Sequence, residues 1–516
     1  MAGLMLSLLL AALDQTIVGT AEPRIIAQLS GFDRYPWVAT AYLLTSTLAV
    51  PIFGKLSDIY GRKWFFLAGC ALFTAASALC GASGTLTFLP LDGVNQLIAF
   101  RGLQGIAAGI MTGLTFTILG DIFSPVERGK YMGFFAAVWG SSSIFGPTLG
   151  GWLTDHYSWR SVFYVNLPVG LIAITAIYIE FPDIRPQGPR KQVDWAGVFS
   201  LIGCIVPLLL ALTWASIDGW GSGKVESLLA IAAVMLVVFL WAESRASEPL
   251  LPLSLFRNPV IAVCSLAVFV LGAGMFGVII YLPLFMQGVL GVSATQSGNL
   301  LTPLMLGAVV GSITTGQLNS RLKQYKPQAV AGSIAIAIGM ILFARMDGST
   351  HPAYVVAAMV VSGLGMGLLQ PVYTVAVQNV APRQYMGAAT SSTMFFRSIG
   401  STVGVAIFGT VLLSRFHAEF AKVVPAGTPP ELLKPFGNPM MLGQMRPQLE
   451  AMFAPVSNGA TLLQTLFSGV RSGLLQGLQV IFFSSAVIMC LAVVLHMGLK
   501  NVPLRGHQQP VEPPAH

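Results

Sequence analysis

The sequence predicts an all-α polytopic membrane protein of fourteen transmembrane helices, arranged as two six-helix bundles with two extra helices inserted between them. Three observations predict it. Of the 516 residues, 54% are hydrophobic and 9% charged, against about 25% charged in soluble domains, and the mean hydropathy is +0.74. Apolar runs of roughly 20 residues recur along the whole chain, each long enough to cross a hydrocarbon core of about 30 Å as a helix. A set of glycines and one tripeptide then repeats at a single offset.

The first run, 1–22, contains LLLAALDQTIVGTAEP (Leu8–Pro23). It lacks a basic leader and a small-residue cleavage site, so it is a span and not a signal peptide. Its missing cytoplasmic lead suggests a true start upstream. Spans two and three, 37–55 and 64–82, flank GKLSDIYGRK (Gly54–Lys63), and span four, 97–119, carries RGLQGIAAG (Arg101–Gly109). Span five, 131–152, holds GPTLGG (Gly146–Gly151), and span six, 161–180, starts within WRSVFYVNLPVG (Trp159–Gly170). Spans seven and eight, 195–217 and 227–242, contain no charge expected to be buried. The last six are 259–287, 297–319, 328–346, 354–378, 386–413 and 471–498.

Tyr131-Met132-Gly133 recurs as Tyr385-Met386-Gly387, and Gly109, Gly113, Gly146 and Gly150 recur as Gly363, Gly367, Gly400 and Gly404, all 254 residues on. The offset carries spans four and five onto twelve and thirteen, as a parallel duplication of a six-helix unit requires. The divisions are therefore a first bundle (1–182), a linker with the extra pair (183–258), a second bundle (259–498) and a tail (499–516). The 414–470 stretch in the second bundle is expected to be one long outer loop. Its amphipathic piece QLEAMFAPV (Gln448–Val456) suits a membrane surface, a cap on the outer mouth or a docking site for an envelope adaptor protein.

With the N-terminus inside, the inner loops and tail hold sixteen Lys and Arg and the short outer loops five. Both termini are therefore expected in the cytoplasm, with the chain in the cytoplasmic (inner) membrane. The formal charge of +8 reflects this bias and calls for no nucleic-acid partner. The five cysteines, Cys70, Cys80, Cys204, Cys264 and Cys490, lie in apolar runs without metal or redox spacing.

The intramembrane charges carry the chemistry. Arg101 cannot be deprotonated in practice, and within a span it costs about 2.5–3.5 kcal/mol unless it finds a partner or water. Asp14 is the acid placed to balance it, and Gln104, three residues from Arg101, shares its helical face. Burial disfavours an ionised acid and a nearby cation favours it, so Asp14 beside Arg101 is expected to exchange its proton as solvent access changes. Glu22, eight residues on, suits cation recruitment or interfacial solvation equally. Arg397 in span thirteen has no intramembrane acid in its half, and backbone carbonyls or a substrate anion remain to satisfy it. Trp139 in span five can stack on a flat or cationic substrate or pack in the core. With Asn166, these residues form the expected substrate cavity.

In GKLSDIYGRK, Gly54 and Gly61 permit a tight turn and close helix approach, while Asp58 can accept charge-assisted hydrogen bonds from Arg62 or a helix end. With Lys63 and with Asp121 of GDIF, this makes a conformational latch. The second-half counterpart, GQLNSRLK (Gly316–Lys323), lacks the acid. Gly146, Gly150 and Gly151 let a neighbouring helix approach, and Pro147 invites a kink. Its repeat equivalent is Ser401, so only one half carries the proline.

The GKLSDIYGRK loop resembles the loop signature of the major facilitator superfamily. RGLQGIAAG and GPTLGG are similar to motifs of its proton-coupled exporters. LDQTIVGTAEP and WRSVFYVNLPVG resemble those of the 14-span drug/proton antiporters, the EmrB/QacA-like multidrug exporters. The chain departs from the first-helix pattern at Gly19 and Glu22, where that family usually has Asn and an apolar residue. The resemblance implies a major facilitator fold and proton-coupled export of lipophilic, cationic drugs or toxic compounds by alternating access, in a monomer whose partners are small-molecule substrates, protons and the lipid bilayer.

No Walker-type phosphate loop or HExxH zinc spacing occurs, and the six histidines are scattered. No catalytic residue, cofactor or metal is expected, and the absent nucleotide site points to secondary transport. The nearest alternative is a dedicated exporter of one natural product, metabolite or lipid, separated by how many unrelated compounds compete. A membrane enzyme or channel is the reading from another class, to be separated by turnover or flux without a gradient.

Overall fold

In the computed structural model the chain is a bundle of long helices. The structure describes residues 2–122, 125–181, 194–246, 249–322, 324–382, 386–425, 428–437, 442, 446–456, 458–500 and 502. Some helix side chains, among them Asp58 and those of 119–137, also fall outside the described set. The long helices are α1 (Ala2–Leu29), α2 (Tyr35–Tyr60), α3 (Arg62–Gly81), α4 (Gly93–Ile122), α5 (Pro125–His156), α6 (Asn166–Glu180), α7 (Trp195–Asp218) and α8 (Gly223–Arg245). They continue as α9 (Pro259–Leu284), α10 (Ala294–Leu322), α11 (Lys326–Ala344), α12 (Pro352–Val380), α13 (Met386–Val423) and α14 (Gly459–Met497). Thirteen segments among the described residues are long and apolar enough to cross a membrane. The remaining long helix, α5, has 32 residues and packs between α1 and α10.

Helices dominate because a chain in lipid must satisfy its backbone groups internally. Several therefore continue through proline, at Pro23 in α1, Pro147 in α5 and Pro371 in α12. The first span thus reaches Leu29, past the expected end at residue 22.

The duplication is visible in the packing. Gly109 and Gly113 of α4 lie against Ser46 and Val50 of α2, and their repeats Gly363 and Gly367 of α12 lie against Leu304 and Ala308 of α10. Gly146 and Gly150 of α5 meet Thr16 and Ile17 of α1, while Gly400 and Gly404 of α13 meet Phe269 and Ala273 of α9. At most of these positions a Cβ would collide with a neighbouring carbonyl or side chain, which is why small residues recur there.

Helix α7 lies on α2 and α13. Leu201, Ile205, Leu209 and Leu212 pack with Leu44, Leu48 and Phe395, and Thr410 Oγ1 donates to Leu212 O at 2.5 Å. Helix α8 packs on α7 and leaves Val234, Val237 and Trp241 exposed. One expectation fails here, because the pair does contain a buried charge. Glu243 is 4% exposed and accepts hydrogen bonds from Leu250 N at 3.2 Å and Leu251 N at 3.1 Å. It fastens the end of α8 to the following loop, a contact made by backbone beyond the helix.

The 414–470 stretch, expected as a loop, is largely helical. Helix α13 runs to Val423 and α14 starts at Gly459, with short helices Pro430–Leu433 and Arg446–Phe453 between them. At 38 residues and about 1.5 Å per residue, α13 is about 57 Å long, well beyond a core of about 30 Å. Phe416, Phe420, Phe436, Phe453 and Phe467 form a chain of ring contacts around this extension.

Candidate functional site

Asp14 lies midway along α1 among Leu, Ala and Ile, and its own helix offers its carboxylate no donor. The neighbours supply three. Arg101 Nη1 of α4 donates to Oδ2 at 2.6 Å, Gln104 Nε2 of α4 to Oδ1 at 2.8 Å, and Asn166 Nδ2 of α6 to Oδ1 at 3.0 Å. Arg101 Nη1 also donates to Gln104 Oε1 at 2.8 Å. Ser77 of α3 closes the ring, accepting from Gln104 Nε2 at 3.1 Å and Asn166 Nδ2 at 2.9 Å and donating to Phe163 O at 3.1 Å. The Arg101 guanidinium lies 4.1 Å from the centroid of Tyr42 on α2, and Cys80 Sγ approaches Gln104 Oε1 at 3.6 Å.

Five helices thus meet at one ion pair. Asp14, Gln104, Asn166 and Ser77 are each 0% exposed and Arg101 is 3% exposed, so in this conformation the group is sealed inside the first bundle and presents almost no surface to a substrate. Four residues expected from the sequence (Asp14, Arg101, Gln104 and Asn166) come together here. Ser77, Tyr42 and Cys80 were not foreseen. Nothing in an apolar run distinguishes a serine that faces an acid from one that bonds its own backbone.

Glu22, Trp139 and Arg397 lie elsewhere. Trp139 is partly buried and packs against the main core. Glu22, two turns along α1 from Asp14, is 1% exposed, and among the described residues its Oε1 meets no hydrogen-bond donor. It sits where the two halves touch. Gln287 Nε2 donates to Thr20 O at 2.9 Å, the Tyr35 hydroxyl to Ile280 O at 3.4 Å, and Thr295 N and Oγ1 to Asp155 Oδ2 at 2.7 and 2.6 Å. Phe32 and Phe416 stack edge to face at 5.1 Å. These contacts join the end of α1, the start of α2 and the end of α5 to the end of α9, the start of α10 and α13. The molecule is closed at that end.

GPTLGG serves both seams. Gly146 and Gly150 face α1, whereas Gly151 abuts Ala294, and Pro147 O faces Gly298, both on α10 of the other half. The helix is continuous through Pro147.

In GKLSDIYGRK, Gly61 has φ +98° and ψ 152° and ends α2 while starting α3. Lys63 Nζ donates to Tyr178 O at 3.0 Å and Phe181 O at 2.7 Å, tying α3 to the end of α6. Arg62 is partly buried, and the side chains of Asp58 and Asp121 lie outside the described residues. Among the described residues, a Cβ at Gly54 would meet nothing within 4 Å.

Comparison with known proteins places this geometry. The Major Facilitator Superfamily model matches residues 4–405. The chain is 38% identical to the Multidrug transporter protein MdtP of Bacillus subtilis (strain 168), over 97% of the chain and 93% of that relative. It is 38% identical to Multidrug resistance protein 3 of the same organism, over 80% and 79%. Among solved structures, a bacterial homolog to the human lysosomal transporter Spinster, inward-facing and unoccupied, superposes with a TM-score of 0.63 at 16% identity, covering 97% of this chain and 98% of that one.

Proposed function

The chain belongs to the major facilitator superfamily, a family of multi-pass membrane transporters, and from that premise we propose that it is a proton-coupled exporter of lipophilic, chiefly cationic compounds. The names of its relatives support drug or toxin export. One observation carries the coupling: an acid in the membrane interior, Asp14, holds together a fully buried network whose cation is Arg101.

Ionised Asp14 accepts three hydrogen bonds and fixes α1 against α4 and α6. A proton on Asp14 removes the counter-charge of Arg101 and turns an acceptor oxygen into a donor, so the network must rearrange. Helix α1 transmits the change. Thr20 and Glu22, which sit in the closed seam, lie six and eight residues along the same helix, about 9 and 12 Å at 1.5 Å per residue. Proton occupancy at Asp14 and closure at the seam are then linked through one rigid element with two arrangements. With the termini in the cytoplasm, the closed end faces outward, as a conformation that receives cargo from the inside requires. Lys63 and the Asp58 loop act as the latch, and Pro147 makes α5 the bending partner at the seam.

The test is proton release when the lipophilic cation tetraphenylphosphonium is added to purified protein, with wild type and Asp14→Asn side by side. Wild type should release protons and Asp14→Asn should not. Equal release from both moves the coupling site elsewhere, with Glu22 the next candidate.

A further inference from the structure

Two other cations of the spanning helices have visible partners. Arg101 has Asp14, and Arg471 of α14 donates to Val289 O at 3.0 Å and Gly348 O at 3.1 Å. Arg397 of α13 differs: among the described residues neither a carboxylate nor a carbonyl receives its guanidinium. Helices α9 to α12 and α14 contain no Asp or Glu, and Glu419 of α13 lies 22 residues away, about 33 Å along the helix.

Its place in the fold is defined. Phe395, Ile399 and Val403 turn towards α2 and α7. Gly400, Gly404 and the Arg397 carbonyl face α9, where Gly272 leaves room for that carbonyl. Arg397 therefore leaves α13 on the α9 side, within the second half and away from the α7 face, and it keeps part of its surface accessible. Its depth follows from the repeat. Subtracting 254 gives position 143, next to Ser142, whose carbonyl accepts from Thr16 at 3.1 Å, half a turn from Asp14. Arg397 thus occupies in the second half the level that Asp14 occupies in the first.

An unpaired guanidinium at mid-membrane is expensive, and a planar bidentate acceptor is what it pairs with best. We propose that Arg397 is an anion-binding site that receives the carboxylate of an amphiphilic substrate, so that the transporter takes zwitterionic and anionic amphiphiles as well as cations. This rests on the export reading above and adds a second site of opposite sign to Asp14.

The test uses purified protein in phosphatidylcholine nanodiscs, titrated with dansyl-labelled undecanoic acid and with its uncharged primary amide. Wild type should bind the acid about tenfold more tightly than the amide, as one charge-assisted pair allows. Arg397→Gln should bring the two affinities together, and Arg397→Lys, a point charge without the fork, should keep part of the difference. Equal binding of acid and amide by wild type overturns the proposal, and so does an undiminished preference in a folded Arg397→Gln. If that variant does not fold, the wild-type ratio and Arg397→Lys still decide. Discs containing phosphatidic acid identify the source of the anion. Loss of the acid's advantage there means a lipid phosphate fills the site, which overturns the substrate assignment. Failure of tetraphenylphosphonium export with the acid preference intact would sink the export reading and leave the anion site standing.

Discussion

The Asp14–Arg101 pair makes a quantitative demand on stability. Removing one member of a buried ion pair costs about 3–5 kcal/mol, because the other charge stays uncompensated. In Asp14→Asn, the amide oxygen can still accept from Gln104 and Asn166, which now lie at 2.8 and 3.0 Å from Oδ1. Its NH2 group then faces the Arg101 donor that lies 2.6 Å from Oδ2, so two donors oppose each other. In Arg101→Gln, the carboxylate keeps two amide donors and loses the cation paired with it. The double variant removes both charges and allows an amide-to-amide hydrogen bond. Its cost should therefore fall well short of the sum of the singles, with a coupling towards the upper end of about 0.5–3 kcal/mol. Unfolding of the four proteins by SDS in mixed micelles, followed by tryptophan fluorescence, measures it. Additivity within about 0.5 kcal/mol would refute the pair as the organising contact of the first bundle.

Two further outcomes follow from backbone and seam geometry. Gly61→Ala places a side chain where φ is +98° and ψ 152°, a region almost reserved for glycine, and should cost about 1–3 kcal/mol. Gly54→Ala, whose Cβ would meet nothing within 4 Å among the described residues, should be neutral or stabilise α2 by up to about 1 kcal/mol. Equal effects in the same SDS titration would reject the turn assignment. Asp155→Asn weakens the acceptor that receives Thr295 N and Oγ1 at 2.7 and 2.6 Å and should loosen the closed end. Spin labels at the exposed positions Tyr157 and Gln296 should then report a larger share of long distances by double electron–electron resonance. An unchanged distribution would mean that this contact does not hold the seam.

What was legible in the sequence is local or periodic. Asp14, Arg101 and Gln104 stand out because charged and amide groups are rare in apolar runs, and the spacing of three between Arg101 and Gln104 places them on one face. The repeat was legible because glycine is demanded wherever two helices touch. Ser77 and Tyr42 were illegible for the opposite reason, since serine and tyrosine occur in spans without any ionic role. Glu243 was missed because its partners, the amides of Leu250 and Leu251, carry no side-chain signal. The length of α13 and α14 was missed because polar residues beyond the membrane weaken the hydropathy while leaving the helix intact.

By itself, then, the sequence determined that the chain lives in lipid as a bundle of long helices, that six of them are duplicated, and that an acid and an arginine must face each other inside the first half. Desolvation dictates all three, because an apolar run, an unpaired backbone group or a lone charge each has one favourable solution in a membrane. Only the tertiary structure decided which donors surround Asp14, that they are sealed from solvent in this conformation, and that the halves meet at the end where Glu22 lies. Those contacts join residues far apart in the chain, 267 positions between Thr20 and Gln287 and more between Phe32 and Phe416, and depend on how whole helices are turned about their axes, which no local pattern encodes.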